Sequence, residues 1–140
     1  MKLKQKEVEL YFQFVHSAAA LSTAVRAKVG ALVLDRNNNM VAFGYNGTMR
    51  GADNTCEEFT PQGLVTKDST IHAEQNLICH AARRGISIEG GTVFVTHSPC
   101  IKCATLLYQA GIMTVYYDIE YRCHDEVMAD MIGRLIFHKR

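Results

Sequence analysis

The chain has 140 residues, the size of one ordinary domain. Hydrophobic residues make up 48% of it and charged residues 21%, which excludes a disordered chain, a collagen-like chain and a polar linker. Lysine and arginine number 15 against 14 acidic residues, and the formal charge of +1 gives no overall attraction to nucleic acid or to an anionic membrane. We expect one folded domain over residues 1–140, with any basic binding site confined to a local patch.

The apolar runs and the cysteine content predict the cellular location of the protein. The apolar runs are shorter than the roughly 20 residues that a membrane-spanning helix needs. The charged first seven residues differ from the apolar core of a secretory signal. Five cysteines, an odd number, argue against a disulfide scaffold. We therefore expect a cytoplasmic protein with reduced thiols and no membrane partner.

The first half of the chain predicts one helix, two strands and a long loop. Apolar residues recur at helical spacing between about residues 4 and 25. Two apolar strands, 29–34 and 40–45, flank a turn rich in Asp and Asn. No sustained period follows between residues 47 and 69. We interpret this segment as a loop that serves as a lid or binding loop.

The second half alternates helices with strands. Ser69 or Thr70 can cap the first of these helices, and Gly85 follows its end. The predicted elements are a helix at about 71–84, a strand at 92–96, a helix from Ser98–Pro99 to about 110, a strand at 112–117, a short helix at 125–132 and a weakly signalled strand at 135–137. This order favours an α/β fold in which helices cover both faces of one sheet.

One histidine and two cysteines have the character of a zinc site. His72 lies at the start of the predicted second helix, and Cys100 and Cys103 lie at the start of the third. One imidazole and two thiolates leave the fourth tetrahedral position open, as in catalytic zinc sites. Cysteines three apart on a helix lie side by side, and a helix N-terminus favours the thiolate that zinc requires.

Glu74 is the candidate catalytic residue. Ile71, Glu74 and Ile78 share one apolar helix face, so burial should raise the pKa of this carboxyl group. A carboxyl group that titrates near neutrality beside a zinc-activated water can act as a general acid and base. His72 and Glu74 lie about 200° apart around the helix. Both can serve one site only if the metal lies near the helix N-terminus.

Each motif alone has a structural alternative. A lone Cys-x-x-Cys is equally typical of a redox pair or of half a structural zinc site. The combination of His-Ala-Glu at one helix start with Pro-Cys-Ile-Lys-Cys at another is the signature of zinc-dependent nucleobase deaminases. A non-catalytic zinc or redox module has no use for a buried carboxylate beside its metal, so Glu74 separates the two classes.

At these residues the sequence resembles the cytidine deaminase superfamily, and within it the deoxycytidylate (dCMP) deaminases, including those of large bacteriophages. The resemblance extends to residues 26–31, to Gly-Tyr-Asn-Gly at 44–47 and to the run 111–121. It implies a three-layer α/β/α sandwich with a central mixed sheet of four to five strands. It also implies zinc-dependent hydrolysis of dCMP to dUMP and ammonia, which supplies dUMP for thymidylate synthesis, in the cytoplasm of the host if the chain is phage-encoded.

The resemblance implies a role for each residue of the site. Zn²⁺ held by His72, Cys100 and Cys103 would activate a water, and Glu74 would protonate N3 of cytosine and then the departing amine. The substrate-binding residues that it implies are Asn46 on the sugar together with Ala73, Ser98 and Tyr121 around the base. Tyr117 is the less favoured alternative to Tyr121.

Phosphate binding and regulation form a second group of expectations. The cationic side chains near strand ends or in loops that can form a phosphate site are Arg26, Lys28, Arg50 and Arg122. The family is commonly a homohexamer that dCTP activates and dTTP inhibits at a second nucleotide site. If this carries over, we expect Asn46, Gly47 and the loop from Thr48 to Glu58, which includes Arg50, to take part, with Mg²⁺ accompanying bound dCTP.

The remaining cysteines and histidines lie outside these motifs. For Cys56, Cys79 and Cys123 we expect buried thiols, and for His80, His97 and His124 we expect hydrogen-bonded imidazoles. The alternative is a second, structural zinc held in part by Cys56 and His97, as some phage members have. His97 also departs from the apolar residue that more often precedes Ser-Pro-Cys in the family.

Two other catalytic readings stay open within the superfamily. One is a deaminase of another free cytosine or adenine substrate. The other is a polynucleotide deaminase, which needs a basic stripe for the backbone that a net charge of +1 makes less favoured. Free cytidine deaminases usually have cysteine in place of the histidine of His-Ala-Glu, so His72 argues against that assignment.

Overall fold

The structure, a computed structural model, describes residues 2–140. Its elements in chain order are α1 (Gln5–Ala19), β1 (Gly30–Leu34), β2 (Met40–Tyr45), β3 (Glu57–Thr60), β4 (Gly63–Thr66), α2 (Ala73–Arg84), β5 (Thr92–His97), α3 (Ile101–Gln109), β6 (Thr114–Ile119), α4 (His124–Asp130) and β7 (Ile136–Lys139). The weakly signalled last strand is therefore present, as β7.

A mixed five-stranded sheet forms the centre of the molecule. Its strand order is β2-β1-β5-β6-β7. β2, β1 and β5 pair antiparallel, whereas β5, β6 and β7 pair parallel. The prediction of a mixed sheet of four to five strands is confirmed. Because β5 and β6 are parallel, the segments that follow them leave the sheet at the same edge.

Helices cover both faces of this sheet, which confirms the three-layer prediction. On one face α1 packs an apolar stripe against β1 and β5; the fully buried members of this cluster are Phe12, Val15, Leu32, Leu34 and Phe94. On the other face α2, α3 and α4 share a second buried cluster with the same sheet. Among residues 2–140, no helix combines the length and the apolar character needed to cross a bilayer.

The helix ends near the ligand residues differ from the prediction. α2 begins at Ala73 rather than at Ile71, because Ile71 exchanges two backbone hydrogen bonds with Gly47, at 2.7 and 3.0 Å. α3 begins at Ile101 rather than at Ser98–Pro99, because the Ser98 hydroxyl accepts from the backbone N–H of Tyr121 at 2.8 Å instead of capping the helix. His72 and Cys100 consequently occupy the N-cap positions of their helices.

α1 is also shorter than predicted, ending at Ala19 rather than near residue 25. The Ser22 hydroxyl donates to the backbone carbonyl of Asn46 at 2.8 Å and accepts from Ala24 N–H at 3.2 Å. These contacts turn the chain away from the helix axis. Smaller shifts place β6 and α4 one or two residues from their predicted bounds.

The interpretation of residues 47–69 as an uninterrupted loop is wrong, because β3 and β4 form a hairpin within it. Pro61 and Gln62 make the turn, and Gly63 follows with φ of 106°, a conformation that favours glycine. The burial pattern conceals the strands, because the charged Glu57 is buried while Phe59 is 89% exposed. This hairpin does not pair with the central sheet.

A glycine in β2 lets the first turn of α2 approach the sheet. A Cβ atom at Gly44 would lie 2.8 Å from the carbonyl oxygen of Ala73 and 2.9 Å from the backbone nitrogen of Leu77. The Asn76 side chain fixes the same contact by donating to the backbone carbonyl of Tyr45 at 2.7 Å. The position of the His72–Glu74 segment therefore depends on Gly44.

We expect Gly44→Ala to lower the free energy of unfolding by about 1–3 kcal/mol, because the added methyl group overpacks the contact between β2 and α2. Thermal and denaturant unfolding measure this loss. Gly47→Ala is the matched control, since a Cβ there meets nothing within 4 Å, and it should change stability by less than about 0.5 kcal/mol. Equal losses in both variants would contradict the close approach.

Candidate active site

The side chains of His72, Cys100 and Cys103 converge at the starts of α2 and α3. Their ligand atoms all lie within 4.8 Å of one another, and they form the one such group of three or more among residues 2–140. Nδ1 of His72 is 3.3 Å from Sγ of Cys103 and 3.7 Å from Sγ of Cys100. The structure thus brings together the three residues predicted to bind metal.

The spacing of these atoms fits zinc. Zn–S bonds of about 2.3 Å and Zn–N bonds of about 2.0–2.1 Å at tetrahedral angles place nitrogen and sulfur about 3.6 Å apart. The observed separations of 3.3 and 3.7 Å lie on either side of this value. Three protein ligands leave one tetrahedral position for a water or a substrate, which is the arrangement of a catalytic site.

The protein environment prepares one of the two thiols for metal binding. Hydrogen bonding with Cys103 and His72 lowers the pKa of Cys100 to about 4, and the backbone N–H of Cys103 adds a contact to its sulfur at 3.5 Å. The same hydrogen bond with Cys100, together with burial, raises the pKa of Cys103. Cys100 is therefore the member of the pair that ionises more readily, and a metal held here would displace the thiol proton of Cys103.

Glu74 is a buried carboxyl group beside the three ligands. It lies in the first turn of α2 and is only 4% exposed. Burial raises its pKa to about 7, and its carboxyl group interacts with His72, Cys100 and Cys103. A group with these properties can take up and release a proton near neutral pH.

A cavity of about 180 Å³ opens over Glu74 and the ligand pair His72 and Cys100. The four residues predicted to contact substrate all line it: Asn46, Ala73, Ser98 and Tyr121. Tyr117 is instead buried, with its hydroxyl 3.2 Å from Nε2 of His124. Of the two tyrosines, Tyr121 is therefore the one placed to meet a ligand.

Asn46 holds the wall of this cavity through its side chain. Its Oδ1 accepts from the backbone N–H of Val29 at 2.8 Å, and its Nδ2 donates to the carbonyl of Ala27 at 2.8 Å. An amide nitrogen carries two protons, so one N–H remains for a ligand. Asn46 thus positions the segment before β1 and keeps one donor free.

The predicted cationic residues separate into different environments. Arg26 lines the cavity, where its Nη1 donates to Thr66 Oγ1 at 3.4 Å. Lys28 is exposed and does not line the cavity. Gly47 and Arg50 line a different cavity on the far side of Asn46. The Arg122 guanidinium lies 5.4 Å from the centroid of the Tyr121 ring.

Among the lining residues to which the sequence analysis gave no role in the site, two carry titratable side chains, Glu57 and His97. Glu57 is 7% exposed, and its Oε2 accepts from the backbone N–H groups of Val25 and Arg26 at 2.8 and 3.0 Å. It thereby holds Arg26 in place. No sequence signal identifies Glu57, because it lies in the hairpin that the sequence pattern concealed. For His97, the one sequence feature that pointed to a role in the site was its departure from the apolar residue more usual before Ser-Pro-Cys.

The structure confirms the expected environments of some of the remaining cysteines and histidines and contradicts others. Cys56 is buried, as expected, but Cys79 and Cys123 are exposed, so that expectation was wrong for both. Cys79 lies on the outward side of α2, and Cys123 lies in the turn before α4. Each of the three histidines has a hydrogen-bond partner: His80, His97 and His124. Within residues 2–140, Cys56 and His97 belong to no second cluster of potential metal ligands.

Comparison with known proteins places this site in a family. The family profile described as "Cytidine and deoxycytidylate deaminase zinc-binding region" matches residues 5–119. ComE operon protein 2 of Bacillus subtilis is 40% identical over 113 residues, which cover 78% of this chain and 57% of that protein. Deoxycytidylate deaminase of enterobacteria phage T4 is 32% identical over 128 residues, covering 64% of this chain and 66% of that protein.

A solved structure resembles the chain over nearly its whole length. The dCMP deaminase of cyanophage S-TIM5, crystallised in complex with dCMP and dUMP, aligns with a TM-score of 0.90 and 35% identity, covering 99% of this chain and 100% of that one. By contrast, the chain spans less than two thirds of ComE operon protein 2 and of the T4 enzyme. The profile match over residues 5–119 shows that the chain belongs to the cytidine and deoxycytidylate deaminase family.

Proposed function

We propose that this protein hydrolyses dCMP to dUMP and ammonia with zinc as its cofactor. The observation that carries the proposal is the buried Glu74 carboxyl group beside an open set of one imidazole and two thiolates. The structural similarity to a deaminase crystallised with dCMP and dUMP supports the choice of substrate. A structural zinc or redox module does not account for Glu74, because burying an uncompensated carboxyl group is costly.

The residues of the chain divide the chemistry among them. Zinc, when bound by His72, Cys100 and Cys103, supplies a Lewis acid that makes water a nucleophile near neutral pH. Glu74 would accept a proton from the attacking water and deliver it to N3 of the cytosine ring. It would then accept the proton of the new hydroxyl group on C4 and pass it to the leaving amine, so that the C4 carbonyl of dUMP forms as the C–N bond breaks. The pKa of Glu74, which burial raises to about 7, suits a group that must both take up and give up a proton.

Other cavity residues hold the nucleotide. Arg26 is the cationic side chain for the phosphate, since a guanidinium binds phosphate oxygens through two parallel N–H groups. Asn46 has one amide N–H left for the sugar. Ala73 and Ser98 flank the base, and the Tyr121 ring gives it an apolar wall. This arrangement favours a mononucleotide over a polynucleotide, because Arg26 is the one Lys or Arg side chain among the described lining residues.

Regulation and assembly are further parts of the proposal. Gly47 and Arg50 line the second cavity, and we propose that dCTP, with Mg²⁺, and dTTP compete there. We also propose a homohexamer, in keeping with the resemblance to regulated dCMP deaminases. Reduced Cys100 and Cys103 favour the cytoplasm, where thiols are kept reduced.

The main test is deamination of dCMP, followed by ultraviolet absorbance, with zinc-loaded protein in the presence of dCTP and Mg²⁺. We expect conversion to dUMP in the wild type and a loss of about 10²–10⁴-fold in kcat for Glu74→Gln, because the proton carrier is removed. Zinc content, measured by atomic emission, should stay the same in both proteins.

Glu58→Gln is the matched control, because Glu58 is an exposed carboxylate on β3 and its removal should leave kcat unchanged. A Glu74→Gln variant with wild-type kcat would contradict the mechanism. Inactivity of the zinc-loaded wild type on dCMP, combined with activity on an oligonucleotide or an adenine nucleotide, would contradict the substrate.

The phosphate contact gives a separate prediction. Arg26→Gln should reduce kcat/KM for dCMP by about 10- to 150-fold, mainly through KM, because one charge-assisted hydrogen-bonded contact is worth about 1.5–3 kcal/mol. The same substitution should leave the low activity on deoxycytidine, which has no phosphate, nearly unchanged. Lys28→Gln is the control outside the cavity. Steady-state kinetics that showed equal losses on dCMP and deoxycytidine would exclude Arg26 as the phosphate ligand.

A further inference from the structure

The hydroxyl group of Thr96 determines which nitrogen of His97 carries the proton. Thr96 is fully buried, and its Oγ1 accepts from the backbone N–H of Gly30 at 3.2 Å. The other partner of this hydroxyl group is Nδ1 of His97, at 2.9 Å. Because the Gly30 N–H can only donate, Nδ1 is the acceptor that the structure offers for the hydroxyl proton. An Nδ1–H tautomer would leave the proton of this buried hydroxyl group without an acceptor among residues 2–140, so the arrangement favours an accepting Nδ1 and a ring proton on Nε2.

The Nε2–H group of His97 is available to a ligand. No residue in the described range 2–140 supplies a hydrogen-bond partner for it. No buried side-chain nitrogen or oxygen in that range lacks a partner, so Nε2 is open to solvent through the cavity that His97 lines. Burial and the neighbouring His16 lower the pKa of His97, against a smaller opposing effect of Asp118. The ring is consequently neutral at neutral pH and keeps its single N–H.

The position of His97 places this donor beside the base rather than beside the phosphate. His97 is the last residue of β5 and precedes the ligand Cys100 by one short turn. Its ring stands edge-on to that of Tyr121, with centroids 6.5 Å apart and an interplanar angle of 85°. If the reacting carbon lies at the metal ligands and the phosphate lies at Arg26, the pyrimidine ring lies next to His97 and Tyr121.

We propose that His97 is a substrate-binding residue that donates its Nε2–H to carbonyl oxygen O2 of the pyrimidine. The ring of cytosine offers two acceptors, N3 and O2. N3 receives a proton from Glu74 during the reaction, whereas O2 stays an acceptor throughout. This inference rests on the proposed function. Position 97 more often holds an apolar residue in the family, so the histidine here adds a hydrogen-bond donor for the pyrimidine.

The first test measures the tautomer and does not depend on activity. Long-range ¹H–¹⁵N correlation spectra of ¹⁵N-labelled, zinc-loaded protein at pH 7.5 distinguish protonated from unprotonated ring nitrogens, and His97→Gln identifies the His97 signals by their loss. We expect a protonated Nε2 and an unprotonated Nδ1 in the wild type. The opposite tautomer, or an imidazolium ion, would overturn the inference whether or not the protein deaminates dCMP.

The second test compares dCMP with 2-thio-dCMP, whose sulfur is a poor hydrogen-bond acceptor. We expect the wild type to prefer dCMP, and His97→Leu to lose at least about 10-fold in kcat/KM on dCMP while losing little on 2-thio-dCMP. His97→Gln, which keeps an N–H donor at a similar reach, should restore most of the preference. His138→Leu is the control, because His138 is exposed on β7 and lines neither this cavity nor the second one.

The two proposals fail in different ways. A wild type that does not deaminate dCMP contradicts the proposed function. A wild type that does so, with a His97→Leu variant that retains the same ratio of dCMP to 2-thio-dCMP activity, contradicts the contact to O2 alone. A merely structural role for His97 predicts equal losses on both substrates, because a general disturbance of the cavity does not distinguish oxygen from sulfur.

Discussion

The first turns of α2 and α3 meet above one end of the sheet, and the positions of the three candidate metal ligands and of Glu74 follow from that contact. Gly44 lets α2 lie directly on β2. The backbone pairing of Ile71 with Gly47 prevents the helix from starting earlier, so His72 becomes an N-cap residue. The bond from Tyr121 N–H to Ser98 has the same effect on α3 and makes Cys100 its N-cap. Two N-terminal helix dipoles thus face one small volume, where they favour thiolates.

The opposing requirements of Glu74 and the metal ligands explain why the site has this composition. Burial makes ionisation of the Glu74 carboxyl group unfavourable and raises its pKa, with a smaller contribution from the negative charge of Cys100. A divalent cation held by His72, Cys100 and Cys103 would supply positive charge that lowers the cost of ionising Glu74. The buried carboxyl group of Glu57, in the β3–β4 hairpin, is also compensated, but by hydrogen bonds from the backbone N–H groups of Val25 and Arg26.

The candidate metal ligands, Glu74 and most of the sheet could be predicted from the sequence. The exact helix starts and the hairpin beside the site could not. His72, Glu74, Cys100 and Cys103 were predictable, because zinc chemistry restricts both residue type and spacing. Four of the five strands of the sheet were predictable from apolar runs, whereas β7, most of whose residues are exposed, was only weakly signalled.

Other features depend on tertiary contacts that leave no local pattern. The β3–β4 hairpin was missed because Glu57 is inside and Phe59 is outside. The helix starts were misplaced because Ser98 bonds to a residue 23 positions away instead of capping its own helix. The hydrogen bond between Thr96 and His97 gains its meaning from the pairing of β5 with β1, which brings the backbone N–H of Gly30 to the same hydroxyl group. No local sequence pattern indicates this contact.

The central claim is that one imidazole and two thiolates hold zinc with one position left open beside Glu74. X-ray absorption spectroscopy at the zinc K-edge of the purified, zinc-loaded protein tests it most directly. The account predicts two sulfur neighbours at about 2.3 Å and two light-atom neighbours at about 2.0–2.1 Å, one of them the imidazole nitrogen of His72. A spectrum fitted by four sulfur neighbours, or by light atoms alone, would contradict it.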